Sequence, residues 1–293
     1  MRQGSVFCRL AAIAYLTTTM PGAVAQETYR TKPGAIRITV RENGRLLVPV
    51  AVNGKKESRF LFDTGATTTV LSESLAAKAG VTAKSVKRVG TFAGEVSLPV
   101  GQVDTLRIGN HSVAGIDVLV ADLGRLFNLD AEIEGILGGD FLSRFNYLLD
   151  PDAGQLEIEE DGDLSSKLSG TRVACEKRGG KTYVPVAGGD VRLILDSGNP
   201  YLVVYGDAVK RLQPTASIKE TKVVRSSIGS RAIRPFRLES LEIGDSRLRN
   251  VDAYLAARGP GRLEDGFLPL FVFDSIYVNN QENFLIPNPK RNR

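Results

Sequence analysis

Apolar and polar positions alternate with a period of two along much of this chain, and the alternation is cut repeatedly by glycine, asparagine and aspartate. That is the pattern of short half-buried strands joined by tight turns. Residues 36–40, Ile-Arg-Ile-Thr-Val, predict a strand, and Asn43-Gly44 predicts a hairpin turn after it. Residues 46–52 predict the next strand and Asn53-Gly54 another turn; further strands are predicted over 103–108, 116–120, 145–149 and 155–158. Helical signals are sparse. Ser72 is placed to cap a short helix through Lys78, closed by Gly80, and residues 122–129 allow a second. The expected class is all-β.

One stretch organises the rest. The apolar run Phe60-Leu61-Phe62 ends in Asp63-Thr64-Gly65-Ala66, and a β-branched run over 67–71 follows at once. The order strand, acid, hydroxyl, glycine, strand holds an aspartate at a bend with a rigid apolar strand behind it. The same order returns at Val191-Arg192-Leu193-Ile194-Leu195, Asp196-Ser197-Gly198-Asn199 and the apolar residues 201–205, with the two acids 133 positions apart. A lone Asp-Thr/Ser-Gly is an ordinary turn; two in the same setting inside a repeat are not.

The repeat runs through the chain. Val48-Pro49-Val50 returns as Val184-Pro185-Val186, and the helix cap Ser72 as Asp207, for a helix through Leu212. Residues 105–109 return as 240–244, and Gly135-Ile136-Leu137-Gly138 as Gly266-Phe267-Leu268-Pro269. The offsets stay between 131 and 136, as a duplicated domain requires. The expected units are 36–159 and 171–289, joined by an acidic linker at 160–170. In the first unit Gly90, Thr91, Phe92, Ala93 and Gly94 form a hairpin tip whose glycines bracket an aromatic; Ser227, Ile228 and Gly229 hold the corresponding place in the second.

The 293 residues are 42% hydrophobic and 24% charged, as in a soluble globular protein. Arg2 and Arg9, an apolar run over 10–16 and Ala23-Val24-Ala25 read as a signal peptide spanning residues 1–25, followed by a polar leader over 26–35. The expected location is therefore periplasmic or extracellular, and no stretch is long enough to predict a transmembrane segment. Loss of Arg2 and Arg9 takes the net charge from +5 to +3, too mild to argue for nucleic acid. Basic residues gather over 219–237 and in the tail 290–293. Beyond residue 25 the chain keeps one cysteine, Cys175, read as a buried structural thiol, and one histidine, His111, in a turn signature. That excludes an internal disulfide and a Cys/His zinc cluster, and no Gly-x-Ser-x-Gly elbow supports a serine triad through His111.

Two matching units related by a pseudo-twofold would bring Asp63 and Asp196 together. Two carboxylates a few ångströms apart share one proton near neutral pH, so one acts as base and the other as acid. Such a pair activates water against a carbonyl without a metal or other cofactor.

Here the sequence resembles the aspartic proteases, the superfamily of pepsin and the retroviral proteases. The resemblance rests on Asp63-Thr64-Gly65-Ala66, Asp196-Ser197-Gly198-Asn199 and Ile136-Leu137-Gly138, spans roughly residues 36–288, and points to the retroviral-type branch with two units fused. It implies two tandem closed β-barrel-like lobes with pseudo-twofold symmetry, a cleft between them and a flap over it. It implies endopeptidase activity on peptide or protein substrates through Asp63 and Asp196. It also implies that Thr64 and Ser197 cross-link the two turns, that Gly65, Ala66, Gly198 and Asn199 support the dyad, and that the two hairpin tips are flaps. One chain carries both acids, so a monomer is expected. Pro269 in place of Gly138, and Asn199-Pro200 after the second triplet, depart from the pattern. They motivate the alternative of a non-catalytic peptide-binding protein. A third reading is an envelope structural protein that uses the basic strip. Ala66 has no side-chain donor whereas Asn199 has an amide, so Asp196 is expected to ionise more readily than Asp63.

Overall fold

The computed structural model describes residues 34–42, 44–91, 94–159, 164–212, 214, 222–225, 230–259, 262–288 and 290–291. Residues 1–33, with the expected signal peptide and most of the leader, lie outside the described residues. So do Phe92 and Ala93 of the first hairpin tip, Ser227, Ile228 and Gly229 of the second, residues 160–163 of the linker and 292–293 of the tail.

The strands before the two acids are pinned on both faces. In Ser58–Phe62, Phe60 and Phe62 enter the main core with Val48, Val50 and Leu71, while Leu61 faces a second cluster with Leu47, Val70 and Ile136. In Val191–Leu195, Val191, Leu193 and Leu195 enter the main core and Ile194 a separate cluster with Val203, Tyr205 and Phe267. Burial on both sides explains why these runs are continuously apolar where they meet the acid.

Each lobe has an eight-stranded sheet with the same strand order. In the first lobe it is Thr39–Val40, Leu46–Val52, Ser58–Phe62, Ile133–Leu137, Val70–Ser72, His111–Ala121, Glu95–Ile108 and Ser85–Gly90. In the second it is Glu176–Arg178, Lys181–Val186, Val191–Leu195, Gly266–Leu268, Leu202–Tyr205, Ser246–Ala256, Ser230–Ile243 and Lys222–Arg225. The lobes meet in a six-stranded sheet whose centre pairs Tyr147–Asp150 of the first with Ile276–Asn279 of the second, antiparallel. The expected all-β bilobal fold is therefore the observed one.

The lobes differ in closure. The first closes into a six-stranded barrel where Ala51 and Val52 pair with Arg107 and Leu106. Among the described residues the second lobe has no matching ladder. Its hairpin is shorter, running from Val184 to Asp196 where the first runs from Val48 to Asp63. The residues that would extend the strand, Ala187, Gly188 and Gly189, turn away with φ of 52°, 70° and 96°.

Ser72 caps the helix Glu73–Lys78, accepting from Leu75 N at 3.1 Å, and Asp122 caps Leu123–Phe127. The cap expected at Asp207 is corrected. Asp207 lies inside the first turn of Gly206–Val209, Tyr205 holds the cap position without a side-chain bond, and Asp207 pairs with Arg258 instead. The hairpin arms Glu95–Ile108 and His111–Ala121 are longer than the alternation alone marks out. Within the linker stretch, Leu164 and Leu168 are buried against Leu148, Tyr277 and Ile286. Cys175 is half-buried, with burial pushing its thiol up to about 12, and His111 packs edge-on against Phe145.

Candidate active site

Asp63 and Asp196 each stand at the end of a strand that runs parallel to a crossing strand, Ile133–Leu137 in one lobe and Gly266–Leu268 in the other. The crossing strand holds the acid's backbone: Asp63 N donates to Leu137 O at 3.0 Å and Asp196 N to Leu268 O at 2.8 Å. The turn then folds onto the side chain. Gly65 N and Ala66 N donate to Asp63 Oδ1 at 2.9 and 3.1 Å; Gly198 N and Asn199 N donate to Asp196 Oδ1 at 3.1 and 3.2 Å.

The glycines are required by the opposite lobe. A Cβ on Gly65 would sit 2.5 Å from Asp196 Oδ1, and one on Gly198 2.5 Å from Asp63 Cγ. Each carboxylate thus lies against the bare Cα of the other turn, and the two acids face one another. Four hydrogen bonds lock this arrangement across the lobes. Thr64 N donates to Ser197 Oγ at 3.0 Å and Ser197 N to Thr64 Oγ1 at 3.1 Å; Thr64 Oγ1 donates to Leu195 O at 2.8 Å and Ser197 Oγ to Phe62 O at 2.6 Å. Both hydroxyl residues are buried, so every one of these groups depends on its partner.

Burial raises both carboxyls above the ordinary range, and Asp196 goes further because the charge of Asp63 faces it. The expectation that Asp196 ionises first is therefore corrected. Asn199 Oδ1 accepts from Tyr201 N at 3.1 Å, so this side chain serves its own turn. The N–H groups of Gly65, Ala66 and Gly198 all favour an ionised Asp63.

The first hairpin reaches the same place. Thr91 N donates to Gly94 O at 2.7 Å, closing the turn after Gly90, and Val89 and Val96 pack on the apolar cluster that Ala66 also touches. The second hairpin pairs up to Arg225 and Ser230.

Four residues of the site were given no role there by the sequence. Asp140 accepts from Thr69 N at 2.8 Å and Thr69 Oγ1 at 2.7 Å, and that hydroxyl accepts from Gly138 N, so the turn after Ala66 is clamped to the chain beyond the crossing strand. An acid directly after Gly138-Gly139 was the available signal. In the second lobe Pro269 replaces Gly138 and opens the single turn Leu270–Val272, and the place of Asp140 falls to the half-exposed Phe271. Arg262 and Glu264 are the other two. Arg262 donates to Glu264 Oε1 at 2.9 Å and across the lobes to Thr91 O at 2.7 Å. No local pattern marks a contact between residues so far apart in the chain.

The model of the aspartyl protease family matches this chain twice, over residues 48–141 and 182–268. Each match contains one of the two facing acids, and together they cover more than half of the chain. No curated protein matches it.

Proposed function

Because this chain belongs to the aspartyl protease family, we propose that it is an endopeptidase in which Asp63 and Asp196 jointly activate water. The observation that carries the proposal is the mutual fit of the two turns: each glycine makes room for the opposite acid, and each hydroxyl bonds the opposite backbone. In the resting dyad Asp196 holds the proton and Asp63 is the base. Asp63 takes a proton from water as the oxygen attacks the scissile carbonyl carbon. Asp196 gives its proton to the carbonyl oxygen, and a tetrahedral gem-diol results. Its collapse breaks the C–N bond, with the amine protonated from Asp63 and the diol proton returning to Asp196.

The departures at Asn199 and Pro269, which motivate a peptide-binding protein without turnover, leave both acids and all four cross-lobe bonds in place. Export to the periplasm or the outside is part of the proposal, and the charged, apolar and Ala-x-Ala segments over residues 1–25 support it. Cleavage-site profiling of the purified protein on a peptide library at several pH values tests the reading. Cuts are expected from acid to near-neutral pH and none with the double Asp63→Ala, Asp196→Ala variant. Binding without cleavage at every pH would favour the peptide-binding protein.

A further inference from the structure

The walls formed at the start of the two crossing strands differ in kind. Ile133 of the first lobe is buried among Leu126, Leu129 and Ile136. Its counterpart, one repeat later, is Glu264, and that side chain is equally buried at 4% exposure. Against the penalty of burial, its own backbone N–H and Arg262 hold Glu264 ionised, below the usual carboxylate range. A buried charge of this kind persists only if it is paired, and the residue that pairs it does more than neutralise it.

The Arg262 side chain is only 18% exposed. One guanidinium nitrogen is committed to Glu264, while the other crosses to the first lobe and donates to the Thr91 carbonyl. A neutral carbonyl is a weaker partner for a guanidinium than a carboxylate, which gives shorter, charge-assisted bonds. Nearby, the half-buried Lys181 has no side-chain hydrogen bond or ion pair among the described residues, and its charge acts on both Glu264 and Asp196. Arg262 and Lys181 therefore both bear on Glu264, and Arg262 also makes a bond that a better acceptor would displace.

We propose that Arg262 is a specificity-determining residue that receives an acidic side chain of the substrate on the second-lobe side of the scissile bond, exchanging the Thr91 carbonyl for the substrate carboxylate. The inference rests on the peptidase reading. It extends that reading from the reaction to the substrate, and it makes the contact between hairpin and wall one that an acidic substrate releases.

The test profiles cleavage of one peptide library by wild type, Arg262→Gln and Arg262→Lys. Wild type is expected to favour Asp or Glu over Asn or Gln by about tenfold at one position within about two residues of the cut, as for one hydrogen bond between charged groups. The preference should vanish in Arg262→Gln and survive in part in Arg262→Lys, with the change falling on KM rather than kcat. Cleavage without acidic preference in wild type, or a preference intact in Arg262→Gln, would overturn this inference and leave the peptidase reading standing. The same library is also passed over the Asp63→Asn, Asp196→Asn protein. Retained peptides should be acidic only while Arg262 is present, so the inference is tested even if no peptide is cut. A library neither cut nor retained would overturn both.

Discussion

The two lobes share one strand order but are finished differently. The first closes its barrel through Ala51 and Val52, clamps the turn after Asp63 with Thr69 and Asp140, and lines its wall with Ile133 and leucines. The second stops its strand at Ala187, puts Phe271 in the place of Asp140, and builds its wall around Arg262 and Glu264. What has stayed the same is what touches across the pseudo-twofold: two acids, two glycines and two hydroxyls. Each of these fits a group on the other lobe, so a change on one side leaves a buried partner unmet on the other. The barrel seam and the Asp140 clamp bond within one lobe and are not held to any counterpart.

The largest effect is expected at the shared centre, and it should be equal from both sides. Asp63→Asn and Asp196→Asn are each expected to lower kcat by about a hundredfold or more, since either removes the acid–base pair. Both variants should fold. The wild-type carboxyls lie above their ordinary value of 3.8 in the folded state. Their contribution to stability is therefore fully present below the unfolded value and lost as pH rises through the raised one. Thermal melting should show each Asn variant gaining on wild type as the pH goes from acid to alkaline. A variant that loses ground as pH rises would contradict the assigned direction.

Next come the hydroxyls. Ser197→Ala strands Thr64 N–H and the Phe62 carbonyl, and Thr64→Val strands Ser197 N–H and the Leu195 carbonyl. Each is expected to cost about 2–4 kcal/mol in urea unfolding, for two buried groups left unpaired. Markedly unequal losses would break the symmetry claimed for this contact.

Where the lobes differ, so should the consequences. Asp140→Ala unpairs Thr69 and should cost about 1–3 kcal/mol. The place-equivalent Phe271→Ala removes a half-exposed ring and should cost less. A greater loss at Phe271 would mean that the second turn has a support of its own.

The smallest effect sharpens the electrostatics. Ala66→Ser adds a donor to the turn of Asp63, the ionised partner. It should lower the acid limb of kcat/KM by about half a unit to one unit, as expected for a hydrogen bond of about 1 kcal/mol. An acid limb that does not move, with fold and KM unchanged, would show that residue 66 does not set the proton affinity of the pair.

The sequence exposed what is local. The apolar runs, the Asp-hydroxyl-Gly turns, the cap at Ser72 and the near-constant repeat offset place the elements and pair the acids, because each is written within a few residues or in register with its copy. Contacts between distant residues of different type were not legible. The central pairing of Tyr147–Asp150 with Ile276–Asn279 joins strands visible one by one, but their partnership has no local mark. Arg262 meets Thr91 across the cleft from a loop without periodicity. At Asn199 the residue type suggested a donor to Asp196, whereas the side chain turned its oxygen to Tyr201 N, the commoner use of an asparagine beside a turn. Among the described residues the second lobe has no closing ladder, because a shorter hairpin with three left-handed residues does not supply the seam.

One chain brings both acids to one site, one from each lobe. The most direct measurement compares peptide cleavage by wild type, Asp63→Asn, Asp196→Asn and an equimolar mixture of the two variants, over a range of enzyme concentrations. Wild-type rate should be first order in enzyme, with both variants and their mixture inactive throughout. Activity regained in the mixture, or a wild-type rate second order in enzyme, would mean that the working dyad forms between chains and not within one.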